Sequence, residues 1–199
     1  MAESPFFYYD DDFWKAEWRV NGAWNSIISA YFPHGINSFD WIVAPEAYPT
    51  WDETQSKAAD LMVAAIESDD GALPLKLSTP VLTYEGKGST SAQGFDKIAQ
   101  QILVWCQRGV LFGSPFYSAF CCWAVGTHGK LAKFYAFDGQ NLVPIGCGRD
   151  AHGGLEVKRM AGDFQDITTL AGWQYVDFML SKVQANPHIT AQEIANLPV

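Results

Sequence analysis

The run Pro80-Val81-Leu82-Thr83-Tyr84-Glu85-Gly86-Lys87-Gly88 constrains this chain more than any other segment. It reads as a strand that ends in glycine. Side chains alternate along a strand, so Glu85 and Lys87 share one face while Tyr84 takes the other. Just upstream, Ala58 to Ile66 reads as a second strand, with one acid, Asp60, inside an apolar run. An Asp on one strand and Glu-x-Lys on the next bring two carboxylates and an ammonium together. Such a set suits a divalent metal beside a cation, the chemistry of phosphodiester hydrolysis.

The chain of 199 residues is long enough for one sizeable core and short for two domains. With 48% hydrophobic and 15% aromatic residues it reads as a folded globular protein. The N-terminus has no basic start followed by an apolar core, so no secretory signal is expected. No apolar run approaches the roughly 20 residues that a spanning helix needs, which predicts no membrane insertion. Cys106, Cys121, Cys122 and Cys147 lack C-x-x-C spacing. They predict reduced, buried thiols in an intracellular protein, cytoplasmic or nuclear.

Charge argues against a polyanionic partner. The net charge is -9 and the pI about 4.7, so the whole molecule repels nucleic acid at long range. The distribution is uneven: residues 1–96 carry 5 basic and 15 acidic side chains, residues 97–159 carry 7 and 3, and residues 160–199 carry 1 and 4. The middle segment offers a local phosphate-binding surface, or else its cations are simply solvated faces.

Along the chain, Asp10-Asp11-Asp12 precedes a helix over 13–32, with a break expected at Asn21-Gly22. Trp14, Trp18 and Trp24 fall on its apolar positions. Phe39 to Pro45 reads as a strand, then come the Asp60 strand and the Glu85 strand. From Gly94 to Arg108 the period becomes helical, with Phe95, Ile98, Ile102, Trp105 and Cys106 on one face. Gln101 lies at the edge of that stripe and Gln100 nearly opposite. Phe116 to Val125 and Leu131 to Phe137 read as a hairpin through Gly126-Thr127-His128-Gly129. Gly146 to Gly154 reads as a glycine-rich loop, Phe164 to Val183 as a closing helix, and the tail to Val199 as loosely packed. One domain over residues 1–199 is expected, with a core of about 13–137 and a C-terminal extension of about 138–199. Its class is α/β, a mixed sheet flanked by helices.

This order of elements, with these residues in it, resembles the PD-(D/E)XK superfamily of restriction-endonuclease-like nucleases. That family's core is a helix, a three-stranded meander, a helix and a further strand. Its signature is an Asp on the second strand and Glu-x-Lys on the third, matched here by Asp60 and Glu85-Gly86-Lys87. The resemblance spans about residues 13–126 and implies a metal-dependent nuclease. Mg²⁺ or Mn²⁺ would be held by Asp60, Glu85 and the Gly86 carbonyl. Lys87 would orient or help deprotonate the attacking water and stabilise the transition state, leaving a 5′-phosphate. Some branches carry a Gln on the following helix, for which Gln101 stands, and a Glu on the first helix, for which Glu17 stands. Glu46 is a looser accessory candidate. Ala59-Asp60 replaces Pro-Asp, and the acidic pI is the largest departure from the pattern.

Plainer readings stand beside each assignment. Asp60 is then an edge-strand acid paired with Lys57 or Lys76. Glu85 and Lys87 become an exposed pair worth about 0.2–1 kcal/mol, and Gln101 an ordinary helix-flank residue. His128 decorates a turn and His152 a loop. Walker A, dinucleotide, G-x-S-x-G and H-E-x-x-H patterns are absent. Two further functional readings stay open. One is a noncatalytic protein-binding or regulatory module on the same fold. The other is a carbohydrate-binding protein that uses some of the 8 tryptophans as stacking platforms.

Overall fold

The computed structural model describes residues 3–33, 41–47, 59–67, 76–111, 120–160 and 164–199. Their strands join in one eight-stranded, mostly antiparallel open sheet. The strands are β1 (Trp41–Ala47), β2 (Ala59–Glu67), β3 (Lys76–Lys87), β4 (Cys122–His128), β5 (Leu131–Phe137), β6 (Leu142–Arg149), β7 (Leu155–Arg159) and β8 (Gln165–Asp166). They lie in the order β1-β2-β3-β4-β5-β6-β7, with β8 pairing β5. Only β3 and β4 run parallel. A parallel pair needs a crossover, and helix α2 (Phe95–Leu111) lies in that connection.

Two apolar layers cover the sheet. On one face α1 (Glu17–Tyr31) and α3 (Leu170–Ala185) pack against alternate strand residues. Val20, Trp24, Ile27 and Ile28 form the inward stripe of α1 and share a core with Leu61, Val63, Leu82, Tyr84, Trp123 and Val125. On the other face Ile98, Ile102, Trp105 and Cys106 of α2 meet Met62, Ala64, Cys122, Ala124 and Tyr135. The strand period of two thus sends residues 82 and 84 toward α1, and residues 83, 85 and 87 toward α2.

The N-terminal turn is tied to the far end of β3. A 3₁₀ turn, Phe13–Lys15, precedes α1, and Ser89 N–H donates to Trp14 C=O at 2.8 Å. Gly88 makes this approach possible, since a Cβ there would overlap the Lys15 carbonyl. The start of α1 therefore lies beside the end of β3.

Several sequence expectations change. The first helix breaks at Ala16, whose backbone is extended, and Asn21-Gly22 lies inside α1. Among the aspartates, the Asp10 carboxylate accepts from Phe13 N–H at 2.8 Å. Trp14 and Trp24 are buried, whereas Trp18 is 73% exposed, because in α1 it lies about 120° round the helix from Trp24 and opposite Ile27. Residues 126–128 continue β4, and the hairpin turns at Gly129, in the left-handed region, and Lys130. Gly146 to Arg149 is strand β6 rather than loop, since antiparallel pairing with β7 satisfies its backbone. The closing helix starts at Leu170, where Thr169 Oγ1 accepts from Gly172 N–H. The tail is anchored: α4 (Ala191–Asn196) has a capping box, and Ile189 and Ile194 are buried. Residues 39–40, 48–58 and 112–119 of the expected elements lie outside the described residues.

The layer assignment is testable by urea denaturation. Ile28→Ala should cost about 2–5 kcal/mol as a buried core truncation. Trp18→Ala should stay within about 0.5 kcal/mol, as expected of an exposed side chain.

Candidate active site

β3 is paired on both sides, so the polar residues on its α2-facing side are buried. Glu85 and Lys87 are each 8% exposed, and Thr83 is 1% exposed. This removes the reading of Glu85 and Lys87 as an exposed pair. Asp60 comes from β2, which lies between β1 and β3 and is no edge strand. Leu61 pairs with Tyr84, so the next positions along the ladder, Asp60 and Glu85, stand opposite each other. Asp60 is held by the β3 backbone: Gly86 N–H donates to its Oδ2 at 2.8 Å. Lys57 and the Lys76 side chain, its alternative partners, lie outside the described residues.

Lys87 is doubly paired. Its Nζ donates to Glu85 Oε1 at 2.8 Å and to Glu17 Oε1, from the first turn of α1, at 3.1 Å. Glu17 is thus the first-helix acid that meets this cluster. Glu46 is exposed, with a left-handed backbone (φ 51°), between the Pro45–Leu61 and Ala47–Ala59 pairs, at the position opposite Asp60. A non-glycine residue with positive φ is strained.

The cluster opens into a cavity of about 460 Å³ between the sheet and α2. Asp60, Thr83, Glu85 and Lys87 form part of its wall, and Gln101 and Trp105 line it from the helix. Gln100 and Lys97 also line it; Gln100 is exposed and accepts from Lys97 Nζ at 2.9 Å. Gln101 Oε1 and Thr83 Oγ1 are buried without a hydrogen-bond partner. Buried polar atoms normally have one, so this wall is prepared for a polar occupant or water. The cavity lies within the size range of small-ligand sites.

Burial sets the electrostatics. It raises the Asp60 carboxyl above its ordinary value, against the lowering effect of the Gly86 N–H and the Lys87 charge. Burial also raises Glu85, with repulsion from Asp60 next in size, while Lys87 opposes both. For Lys87 burial works against the charged form, but its hydrogen bond to Glu85 and the surrounding carboxylates outweigh it and leave the pKa raised. The surrounding carboxylates thus favour the charged form of Lys87.

The donor chemistry fits a hard divalent ion. Two carboxylates face one another, and the bonds to Gly86 N–H and Lys87 leave each a second oxygen. Among the described residues, no group of three or more His, Cys, Asp or Glu side chains is arranged to hold a metal. Any such site would therefore need backbone or water ligands as well.

Other candidates fall elsewhere. His128 ends β4, with Nε2 3.1 Å from Ser91 O, and His152 is exposed in the β6–β7 turn. All four cysteines are free thiols. Cys106 and Cys122 are buried, with Sγ atoms 3.9 Å apart, whereas Cys121 and Cys147 are partly exposed. The cations of the middle segment are largely engaged. Lys130 pairs with Asp11 and Asp166, Lys158 with Glu156, and Arg159 donates to Ile194 O. Trp14, Trp24, Trp105 and Trp123 are buried, which leaves no exposed tryptophan row among them for a sugar. No helix among the described residues is long and apolar enough to cross a membrane.

Sequence reasoning missed the hydrogen-bonded set of Asn21, Tyr84 and Thr127 beside Gly86. The available signal was the four-residue step from Glu17 to Asn21, which puts both on one edge of a helix. No protein-family model, curated protein or solved structure matches this chain.

The raised carboxyl values have a definite consequence for stability. Folded Asp60 holds its proton more tightly than the unfolded chain does, so stability falls as pH rises from the ordinary 3.8 through the raised value. Glu85 acts in the same direction from 4.5. Lys87 contributes stability that is complete below 10.5 and lost as pH rises through its folded value. Asp60→Asn should therefore raise the thermal midpoint near neutral pH, and the gain should vanish below the ordinary aspartate value of 3.8. Thermal melts across that range check this; a loss of stability at every pH would contradict it.

Proposed function

We propose that this chain is a metal-dependent nuclease on a restriction-endonuclease-like core. The observation that carries the reading is the convergence of Asp60, Glu85 and Lys87, from two paired strands, on one cavity walled by Gln101 of α2. The order of elements supports it: helix α1, the antiparallel meander β1–β3, helix α2, then β4. The occupant would be Mg²⁺ or Mn²⁺, with Asp60, Glu85 and the Gly86 carbonyl as its protein ligands. Such an ion lowers the pKa of a bound water and neutralises charge on the phosphate under attack.

The chain's own residues then have separable tasks. Gly86 N–H orients the Asp60 carboxylate. Lys87, kept protonated by Glu85 and Glu17, stabilises developing negative charge on the phosphate oxygens. Gln101 presents an amide oxygen with no competing partner, suited to holding a water or a substrate hydrogen-bond donor.

A second reading, a noncatalytic binding or regulatory module on the same fold, draws on one observation. Lys87 is already neutralised by two carboxylates, as in a site whose charges serve the fold. The net charge of -9 favours the same reading.

Cleavage of single- and double-stranded DNA and RNA, assayed with Mg²⁺ or Mn²⁺ titrated in, separates the two. The nuclease reading expects wild-type cutting that needs the metal, reduced by at least about 10²-fold in Glu85→Ala and in Lys87→Ala. No cutting by wild-type protein that circular dichroism shows to be folded would favour the binding module.

A further inference from the structure

The cavity between the sheet and α2 has a charged part and a neutral part. Asp60, Glu85 and Lys87 make the charged part, whereas Thr83 of β3 and Gln101, Ile102 and Trp105 of α2 carry no charge. Thr83 lies on the same face of β3 as Glu85, two residues or about 7 Å away along the strand. Its neighbours across the sheet, Met62 on β2 and Ala124 on β4, are both apolar. Thr83 therefore finds no partner within the sheet, and its hydroxyl, in a residue only 1% exposed, makes no hydrogen bond. On the helix, Gln101 Oε1 is buried and unpartnered too. Gln101 and Trp105 are four residues apart, so they share one side of α2.

Leaving a buried hydroxyl and a buried amide oxygen unpaired costs stability, since each has given up its water. Two such atoms on residues lining one cavity are accounted for by an occupant that supplies their partners. The wall sets the chemistry of that occupant. It needs a hydrogen-bond donor for Gln101 Oε1 and either a donor or an acceptor for the Thr83 hydroxyl, which can act both ways. It needs an apolar body to lie against Ile102 and Trp105. A free anion is disfavoured: Lys87 pairs with Glu85 and Glu17, Lys97 is exposed and bonded to Gln100, and the two carboxylates repel negative charge. A neutral ring with apolar faces and a polar edge meets all three demands. A nucleobase is such a ring, and proteins that take one out of its stack read it by hydrogen bonds to its edge, between apolar and aromatic side chains.

We propose that the Thr83–Gln101 part of the cavity is a nucleobase pocket, which receives the base next to the phosphodiester held at Asp60 and Glu85. The position of the phosphate rests on the nuclease reading; the pocket itself does not. A base is joined to its phosphate through one sugar, a span comparable with the about 7 Å from Glu85 to Thr83. A base stacked in a duplex cannot enter a cavity covered by a helix. The substrate therefore presents an unstacked base, which favours single strands over duplexes.

The test is ligand-observed saturation-transfer NMR on the full chain without added metal, with adenosine, cytidine and uridine as probes and ribose as the control. Wild-type protein should saturate the base protons of at least one nucleoside and leave ribose untouched. Thr83→Val and Gln101→Leu should each weaken that binding about 3- to 10-fold, the loss of one hydrogen bond. In urea, Thr83→Val should be no less stable than wild type, because it removes an unpaired buried hydroxyl; a threonine with a structural hydrogen bond would lose stability on this change. Thr83→Val keeps the side-chain shape and carries the test if Gln101→Leu does not fold. No nucleoside bound by folded wild-type protein, or equal binding by wild type and Thr83→Val, would overturn the pocket whether or not the protein cuts nucleic acid. Nucleoside binding that Thr83→Val weakens, in a protein that cuts nothing, would uphold the pocket and overturn only the nuclease reading.

Discussion

The pairing of β3 along both of its edges governs the rest of the structure. Its antiparallel ladder to β2 sets Asp60 opposite Glu85, and its parallel ladder to β4 requires the crossover in which α2 lies. A central strand cannot expose its side chains at the sheet edge, so Glu85 and Lys87 are covered by α2 on one side and Tyr84 by α1 on the other. Charges in that position are tolerated only when paired and hydrogen-bonded. The contacts of Glu85, Glu17 and Lys87, and that of Asp60 with Gly86 N–H, meet this requirement.

The same burial gives the cluster its chemistry. Burial, with mutual repulsion of the two carboxylates for Glu85, raises both above their ordinary values. The lysine between them stays charged because three acids surround it. A cavity beside this cluster, with buried but unpartnered oxygens on Thr83 and Gln101, is where a polar ligand would gain most. The acidic exterior works the other way, since it slows the approach of any polyanion. Within the basic segment, Lys130 and Lys158 are already paired with acids.

Where the sequence was misread, a local signal competed with a tertiary one. Asn21-Gly22 looks like a helix break because both residues have low helix propensity, but α1 runs through them. Packing of Val20, Trp24 and Ile28 on the sheet compensates for that propensity, and Asn21 is occupied with Tyr84. Gly146 to Arg149 looks like a loop by composition, yet β7 pairs with it and supplies the hydrogen bonds that composition cannot reveal. Trp18 follows Trp14 by a helical four-residue step, but the extended Ala16 separates the two, and within α1 Trp18 lies opposite Ile27.

Periodicity in the sequence by itself determined the α/β class, the strands carrying Asp60 and Glu85, and the shared face of Glu85 and Lys87. It likewise put Gln101 at the sheet-facing edge of α2. These follow from the two- and 3.6-residue repeats, which are local properties of the backbone. Tertiary structure alone decided that Asp60 faces Glu85, that Glu17 reaches Lys87, and that Thr127, Tyr84 and Asn21 join in one hydrogen-bonded set. The bonds Tyr84–Asn21, Lys87–Glu17 and Tyr84–Thr127 join residues 63, 70 and 43 positions apart, through strand register and helix docking that no local pattern encodes.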